Sequence, residues 1–447
     1  MTNDAAGGPA NSNLPRVIGV SGVAFTAFNC VVGVGIFGLP GLVAGVLGSA
    51  AIYAYVVCLV LFGLIALCLA EAGSRVSDAG GLYAYATASF GPVVGGVAGA
   101  LFLFATSIGS AAALARFFMD TLASVWPTFA QPVLNFVTLV ILYGGLTLIN
   151  ILGTRNGNRL TITIGILKFV PLALLVIVGF FYIEPENLAR IGVPSLEKIG
   201  DGALILFFAF LGIETGLSIS GETRNPARTI PRAVALALIM VAVLYVGLQT
   251  VTQGVLGAAL ANSQAPLVDT ARVILGSRGA QLLVLLTLVS AGGYLAADMF
   301  SSPRIAHALA HSRQLPRVLG TVHPRFATPA VSIAFYATAV IAVAASGSFR
   351  QIAVLVVAGT LVLYLICCLG VLRLRAKNVG ADGSPFVAPG GPIVPMAAAT
   401  IIVWLLSTLA VREMIATLCF VVVAALCYYA RHATAKTQSG ISEAQTP

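Results

Sequence analysis

Gly33-Val34-Gly35-Ile36-Phe37-Gly38-Leu39-Pro40-Gly41 lies inside a stretch, residues 17–70, that contains no Asp, Glu, Lys or Arg. A charge-free run of that length belongs in lipid, where every backbone N–H and C=O must find a partner within the protein. Glycines and a proline crowded into nine residues are a poor recipe for a continuous helix. Backbone groups freed at bilayer depth are tolerated only where they line a cavity or meet a ligand. An interrupted first helix therefore points to a substrate site near the membrane midplane, as in transporters with discontinuous helices. A packing kink is the alternative, since glycine is common where membrane helices approach closely.

The rest of the chain agrees with a membrane setting. Of 447 residues 59% are hydrophobic and only 9% charged, with a mean hydropathy of +1.00. Soluble domains carry roughly 25% charged residues, so this is a polytopic all-α membrane protein. The formal charge of +9 sits in short loops between apolar runs, which the positive-inside rule explains better than nucleic acid does. The first apolar run follows Arg16 directly, and no small-residue cleavage site bounds a short h-region, so the first span is expected to stay. Nothing suggests an enzyme: there is no nucleophile–base pair and no H-E-x-x-H. No Walker motif is present, so this chain does not drive transport with ATP. The seven cysteines all lie in apolar runs without a C-x-x-C pair and read as buried, inert thiols. No metal and no cofactor is expected.

Apolar runs of about 20 residues mark transmembrane helices. Twelve are expected, at 18–45, 49–70, 93–116, 132–152, 159–182, 200–221, 231–256, 279–303, 328–346, 351–372, 392–411 and 413–430. With the N-terminus inside, sixteen Lys and Arg fall on the inner side and seven on the outer, leaving Lys168 within a span. That imbalance predicts a cytoplasmic-membrane protein with both termini in the cytoplasm. Residues 207–221 carry a second break, through Gly212, Glu214 and Gly216. The breaks fall in spans one and six, which run in opposite directions, as a five-plus-five inverted repeat produces. The expected organisation is a polar, disordered tail (1–15), a first repeat (16–182), a second repeat (183–378), two extra helices (379–431) and a second tail (432–447).

Four sequence stretches in order resemble the amino acid–polyamine–organocation superfamily. Gly33-Val34-Gly35-Ile36-Phe37 is similar to its glycine-rich first-helix motif. Ala70-Glu71-Ala72-Gly73-Ser74-Arg75, with Gly80-Gly81-Leu82-Tyr83 and Phe90-Gly91-Pro92, resembles its inner loop between helices two and three. Gly212-Ile213-Glu214 with Glu222-Thr223-Arg224-Asn225-Pro226, and Ser302-Pro303-Arg304 with His323-Pro324, complete the set. The resemblance covers nearly the whole chain. It implies a five-plus-five inverted-repeat fold and transport of amino acids or related amines. Val34 stands where many members carry Ser or Thr, so backbone amides alone are left to bind a carboxylate there.

The physics of the breaks defines a pocket. A helix starting near Gly35 presents unpaired N–H groups and the positive end of its dipole, which suits an α-carboxylate. An unwound stretch from Ala209 to Gly212 presents carbonyls, which suit an α-ammonium. The expected substrate contacts are Val31, Gly33, Val34 and Gly35 on one side and Ala209, Leu211 and Gly212 on the other. By resemblance, Phe208 is a gating aromatic over the substrate and Tyr294 an aromatic against it. Span three offers Thr106, Ser107 and Ser110, and span ten offers Thr360, with no acid among them, which favours a neutral side chain.

Lys168 lies about 14 Å into a core of about 30 Å, where a lysine costs about 2.5–3.5 kcal/mol. By resemblance it matches the fifth-helix lysine of some members, at the place where sodium-coupled relatives bind sodium. A fixed cation there implies sodium independence, with proton symport or exchange. Asp298, in the eighth span, is its candidate partner. Glu214 has three candidate roles: taking a proton, pairing a cationic substrate or holding the break open. Glu71, Arg75, Glu222 and Arg224 are candidates for an inner gate of ion pairs. His307 and His311 stand i, i+4 in a basic stretch that offers too few ligands for a metal centre.

The resulting expectation is a secondary active transporter of amino acids by alternating access, with neutral substrates favoured. Its partners are a small-molecule amino acid or amine, protons and the lipid bilayer, with no nucleic acid. A cationic amino acid or polyamine antiporter is the runner-up, because of Glu214. A non-transporting amino-acid sensor is the alternative of another class, but tails of about fifteen residues offer it no signalling domain.

Overall fold

The computed structural model describes residues 19–20, 24, 27–28, 31–33, 35–76, 81–152, 157–189, 192–212, 226–311, 314–326, 328–380 and 385–443. Among these residues the secondary structure is helical throughout, with no strand. The helices are α1 (Gly35–Leu47), α2 (Ile52–Arg75), α3 (Leu82–Phe90), α4 (Pro92–Val125), α5 (Pro132–Leu152), α6 (Gly157–Gly179) and α7 (Leu196–Phe207). They continue as α8 (Pro226–Leu256), α9 (Pro266–Ser301), α10 (Pro303–His311), α11 (Ala330–Ser346), α12 (Phe349–Ala376), α13 (Ile393–Ser407) and α14 (Val411–Glu443).

Six of the described segments, in α2, α4, α5, α8, α9 and α12, are long and apolar enough to cross a membrane. The 24 residues of α2 extend about 36 Å, enough for a hydrocarbon core of about 30 Å. α4 and α12 form the buried centre, whereas α5 buries only Leu139 and Tyr143 and turns the rest of its apolar surface outward. Such a rim helix presents a large apolar face outward, in keeping with an integral membrane protein.

Several boundaries follow from local chemistry. α3 ends at Gly91, whose φ of 92° turns the chain into Pro92 at the first position of α4. α12 starts on a capping box in which Ser348 and Gln351 satisfy each other's backbone N–H groups. α14 continues to Glu443, beyond residue 431 where a polar tail is expected; residues 432–443 contain no proline to break it. α9 begins at Pro266, thirteen residues before the expected span, because a separate amphipathic helical segment precedes it: Gly276, with φ 70° and ψ −162°, breaks the helix, and the expected span corresponds to the part beyond that kink.

α4 departs most from expectation. Its middle, Leu101–Gly109, is wound as a π-helix, and Ser107 Oγ donates to the Phe102 carbonyl five residues back at 3.0 Å. α4 lies tightly on α12: a Cβ on Gly109 would come within 2.5 Å of Val356, and one on Gly359 within 2.6 Å of Ala105. Small residues thus let the two central helices touch nearly backbone to backbone.

Candidate functional site

The first break is visible at Val32 and Gly33. The Val32 N–H still donates to Phe28 O at 2.8 Å, closing the last helical turn. Gly33 N–H folds back on Val31 O at 2.7 Å, and helix resumes at Gly35. The opening amides of α1 have no intrahelical acceptor. The second break follows α7. A 3-10 turn, Phe208–Phe210, leads to an extended Leu211 and to Gly212, whose φ of 115° only glycine adopts without strain. The two breaks touch: a Cβ on Gly35 would lie 3.3 Å from Phe208 and 3.4 Å from the Ala209 Cα.

Tyr245 of α8 ties them together. Its buried hydroxyl lies 3.0 Å from Val31 O and 2.7 Å from Ala209 O, one carbonyl from each break. A phenol has one proton to donate, so two acceptors share one donor. Sequence gave no signal for this residue, since a tyrosine in an apolar span reads as packing.

Between the breaks lies a cavity of about 50 Å³, lined by Val31, Gly33, Gly35, Phe102, Thr106, Ser107, Ser110, Leu114, Phe208, Ala209, Leu211, Gly212, Tyr294, Asp298 and Ser302. The structure therefore brings together Val31, Gly33, Gly35, Phe208, Ala209, Leu211, Gly212, Tyr294 and Asp298. Val34, Glu214, Glu222 and Arg224 lie outside the described residues. Of the cavity wall, Phe102, Thr106 and Ser107 belong to the π-helical part of α4, a geometry frequent at functional sites. It supplies hydroxyls: Thr106 Oγ1 shares a hydrogen bond of 3.0 Å with Thr360 Oγ1 of α12.

Asp298 forms the acidic corner. One carboxylate oxygen accepts from Ser302 Oγ at 2.6 Å and the other from Tyr336 of α11 at 2.8 Å. Lys168 is 4% exposed in α6, and beside it Phe169 makes an edge contact with Phe28. Lys168 is not part of the cavity wall.

A second, larger cavity of about 780 Å³ opens beyond Gly38, lined in part by Arg116, Asp120, Phe117, Gln264, Phe349 and Arg350. Three rings stand between it and the small cavity. Phe349 packs against Phe208 at 5.5 Å and against Phe117 at 5.4 Å. Phe349 starts α12, Thr360 lies about 16 Å further along, and Arg375 about 22 Å beyond that. At that far end Glu71 is fully buried. Arg375 grips it with Nε and Nη2 at 2.7 and 2.5 Å, Arg75 donates at 3.1 Å, and the Ala388 N–H donates at 2.8 Å. Glu71 and Arg75 are joined as expected, but their principal partner is Arg375, 304 residues from Glu71.

A family model described as amino acid permease matches residues 18–413. The methylthioribose transporter of Bacillus subtilis (strain 168) is 26% identical over 436 residues, covering 94% of this chain and 94% of that protein. The serine/threonine exchanger SteT of the same organism is 25% identical, over 87% of this chain and 90% of its own length. An uncharacterized transporter of Mycobacterium tuberculosis (strain ATCC 25618 / H37Rv) is 30% identical over 81% of each chain.

Proposed function

The chain belongs to the amino acid permease family of transporters, and from that premise we propose that it carries small neutral amino acids across the cytoplasmic membrane. The observation that carries this reading is the cavity between two helix breaks, with the opening amides of α1 at one edge and the carbonyls of Phe208 to Leu211 at the other. The amides suit a carboxylate and the carbonyls an ammonium. The wall between them offers the hydroxyls of Thr106, Ser107 and Ser110. Its acid, Asp298, is already engaged by Ser302 and Tyr336, which favours a neutral substrate side chain. At about 50 Å³ the cavity has room for less than two waters, so it must widen to admit any amino acid. SteT, named for serine and threonine exchange, is a relative in keeping with this class.

Transport is secondary and sodium-independent, by proton symport or exchange. Lys168 is the fixed cation of the coupling region and Asp298 its partner carboxylate. Access alternates within a five-plus-five inverted repeat of twelve spans. The Phe349 end of α12 faces outward, the Arg375 end faces the cytoplasm, and both termini are cytoplasmic, as the distribution of basic residues suggests.

The test is uptake of a labelled panel, amino acids with methylthioribose included, into proteoliposomes, with and without a pH gradient or internal counter-substrate. Small neutral amino acids are expected to dominate, and replacing sodium by choline is expected to leave the rate unchanged. Lys168→Ala should reduce uptake more than tenfold while the protein still runs as a single species on gel filtration. Uptake near the wild-type rate would remove Lys168 from coupling.

A further inference from the structure

α10 follows directly on the helix that carries Asp298, and it presents His307 and His311 one turn apart. Residues four apart share a helix face. Here the two rings meet: their Nε2 atoms are 3.1 Å apart and their centroids 4.5 Å.

The other nitrogen of His307 decides what this contact can do. Nδ1 lies 3.2 Å from the Leu319 carbonyl. A carbonyl only accepts, so Nδ1 carries the proton and the neutral ring keeps its lone pair on Nε2. That is the tautomer required for coordination through Nε2, and a carbonyl on the opposite ring N–H is the usual outer partner of a metal-bound imidazole. The Leu319 carbonyl is itself anchored, because Ser332 of α11 donates to it at 2.6 Å. The His307 ring is thus held in place. As the two rings stand, His311 Nε2–H donates to the His307 Nε2 lone pair; His311 is exposed, and moving its proton to Nδ1 leaves a second Nε2 lone pair facing the first.

A metal bound at about 2.0–2.1 Å from each nitrogen needs the two nitrogens about 2.9–3.4 Å apart, from right-angled to tetrahedral geometry. The observed spacing falls in that window without backbone movement. We propose that His307 and His311 form a two-imidazole binding site for a divalent late transition-metal ion of the Zn2+, Ni2+ or Cu2+ class. Water fills the remaining positions. Among the described residues no third His, Cys, Asp or Glu joins the pair, so the ion is exchangeable and the fold does not require it.

The charge environment sharpens the ion class. Arg304 and Arg317 are exposed nearby and repel any dication. A hard ion such as Mg2+ or Ca2+ finds no oxygen ligands to offset this. Imidazole bonds to borderline ions do offset it, in the order Cu2+ above Ni2+ and Zn2+.

The experiment is Zn2+ titration of the purified full-length protein by calorimetry, near neutral pH, in a non-coordinating buffer. The expected result is one saturable site per chain, weakened about tenfold or more by His307→Ala and by His311→Ala. His323→Ala and His432→Ala, which remove the other histidines, should leave it intact. Should either test variant misfold, wild-type protein with 15N-labelled histidine answers the same question: its Cu2+ complex should show coupling to two imidazole nitrogens. Absence of saturable Zn2+ binding in the wild type, equal affinity in the His307 and His311 variants, or Cu2+ coupling to fewer than two imidazole nitrogens would overturn the site. None of these readouts depends on transport.

Discussion

The two ends of α12 are closed by different chemistry. At Phe349 three aromatic rings meet beside a large cavity, Phe208 edge to face and Phe117 tilted. At Arg375 a fully buried carboxylate is held by two guanidinium groups and a backbone amide. Ring contacts of this kind contribute about 0.5–1.5 kcal/mol each and have no obligatory partner. They separate and re-form at little cost, and an opened ring meets only an apolar neighbour or lipid. A buried ion cluster behaves otherwise: removing one partner strands the other and costs about 3–5 kcal/mol. The difference assigns different work to the two ends. The aromatic end suits a gate that opens with each cycle. The ionic end suits a bracket that keeps α2, α12 and the segment at Ala388 in register, and any cycle that opened it would have to supply replacement partners.

The largest expected effect is at the bracket. Glu71→Ala leaves Arg375 and the Ala388 N–H without their acceptor, and should lower stability by about 3–5 kcal/mol, read as a fall in the melting temperature of the detergent-solubilised protein. Glu71→Gln keeps the shape but loses the charge and should fall in between. If Glu71→Ala melted like the wild type yet transported poorly, the bracket would have to be reassigned as a moving gate.

Tyr245→Phe should come next. It removes the one hydroxyl shared by Val31 O and Ala209 O, a change worth about 1–3 kcal/mol for buried carbonyls. With the proposed substrate site at the two breaks, the expected readout is a rise in KM of about tenfold with a smaller change in kcat. Equal loss of stability and unchanged KM would make Tyr245 a strut with no share in binding.

The smallest effect belongs to the gate. Phe349→Leu keeps apolar bulk at this buried position and removes only the ring contacts with Phe208 and Phe117, about 1–3 kcal/mol in all. The melting temperature should shift little. A cysteine placed at Thr106 should react faster with a membrane-impermeant thiol reagent added from the outer side in the Phe349→Leu background than with Phe349 intact. An unchanged labelling rate would mean that these rings do not separate the two cavities.

How much of this was legible in the sequence differs from one part to the next. The span at 132–152 coincides with α5, because that segment is apolar throughout, starts at Pro132 and buries only Leu139 and Tyr143. Glycine content marked the first break at Gly33 and the end of α7 near Gly212, since the backbone alone decides both. The backbone argument brought Ala209, and the family resemblance Phe208 and Tyr294, to one cavity with Gly35. What escaped is long-range. Arg375 was one of many inner basic residues, and nothing local pairs it with a glutamate 304 positions earlier. The π-helical stretch in α4 depends on close packing against Val356 and Gly359 of α12, which no local periodicity encodes. Tyr336, which holds Asp298, sits in an otherwise uniform apolar span.

The central claim is that backbone at the two breaks reads both ends of a zwitterion. Its most direct test is competition binding to the purified protein by a neutral amino acid, its decarboxylated amine and its N-acetyl derivative. The free amino acid should compete at least tenfold better than either analogue. Gly35→Leu should abolish that binding, because a side chain there meets Phe208 and Ala209. If the amine without a carboxylate competes as well as the amino acid, the opening amides of α1 do not bind a carboxylate, and the chain would instead be an amine carrier.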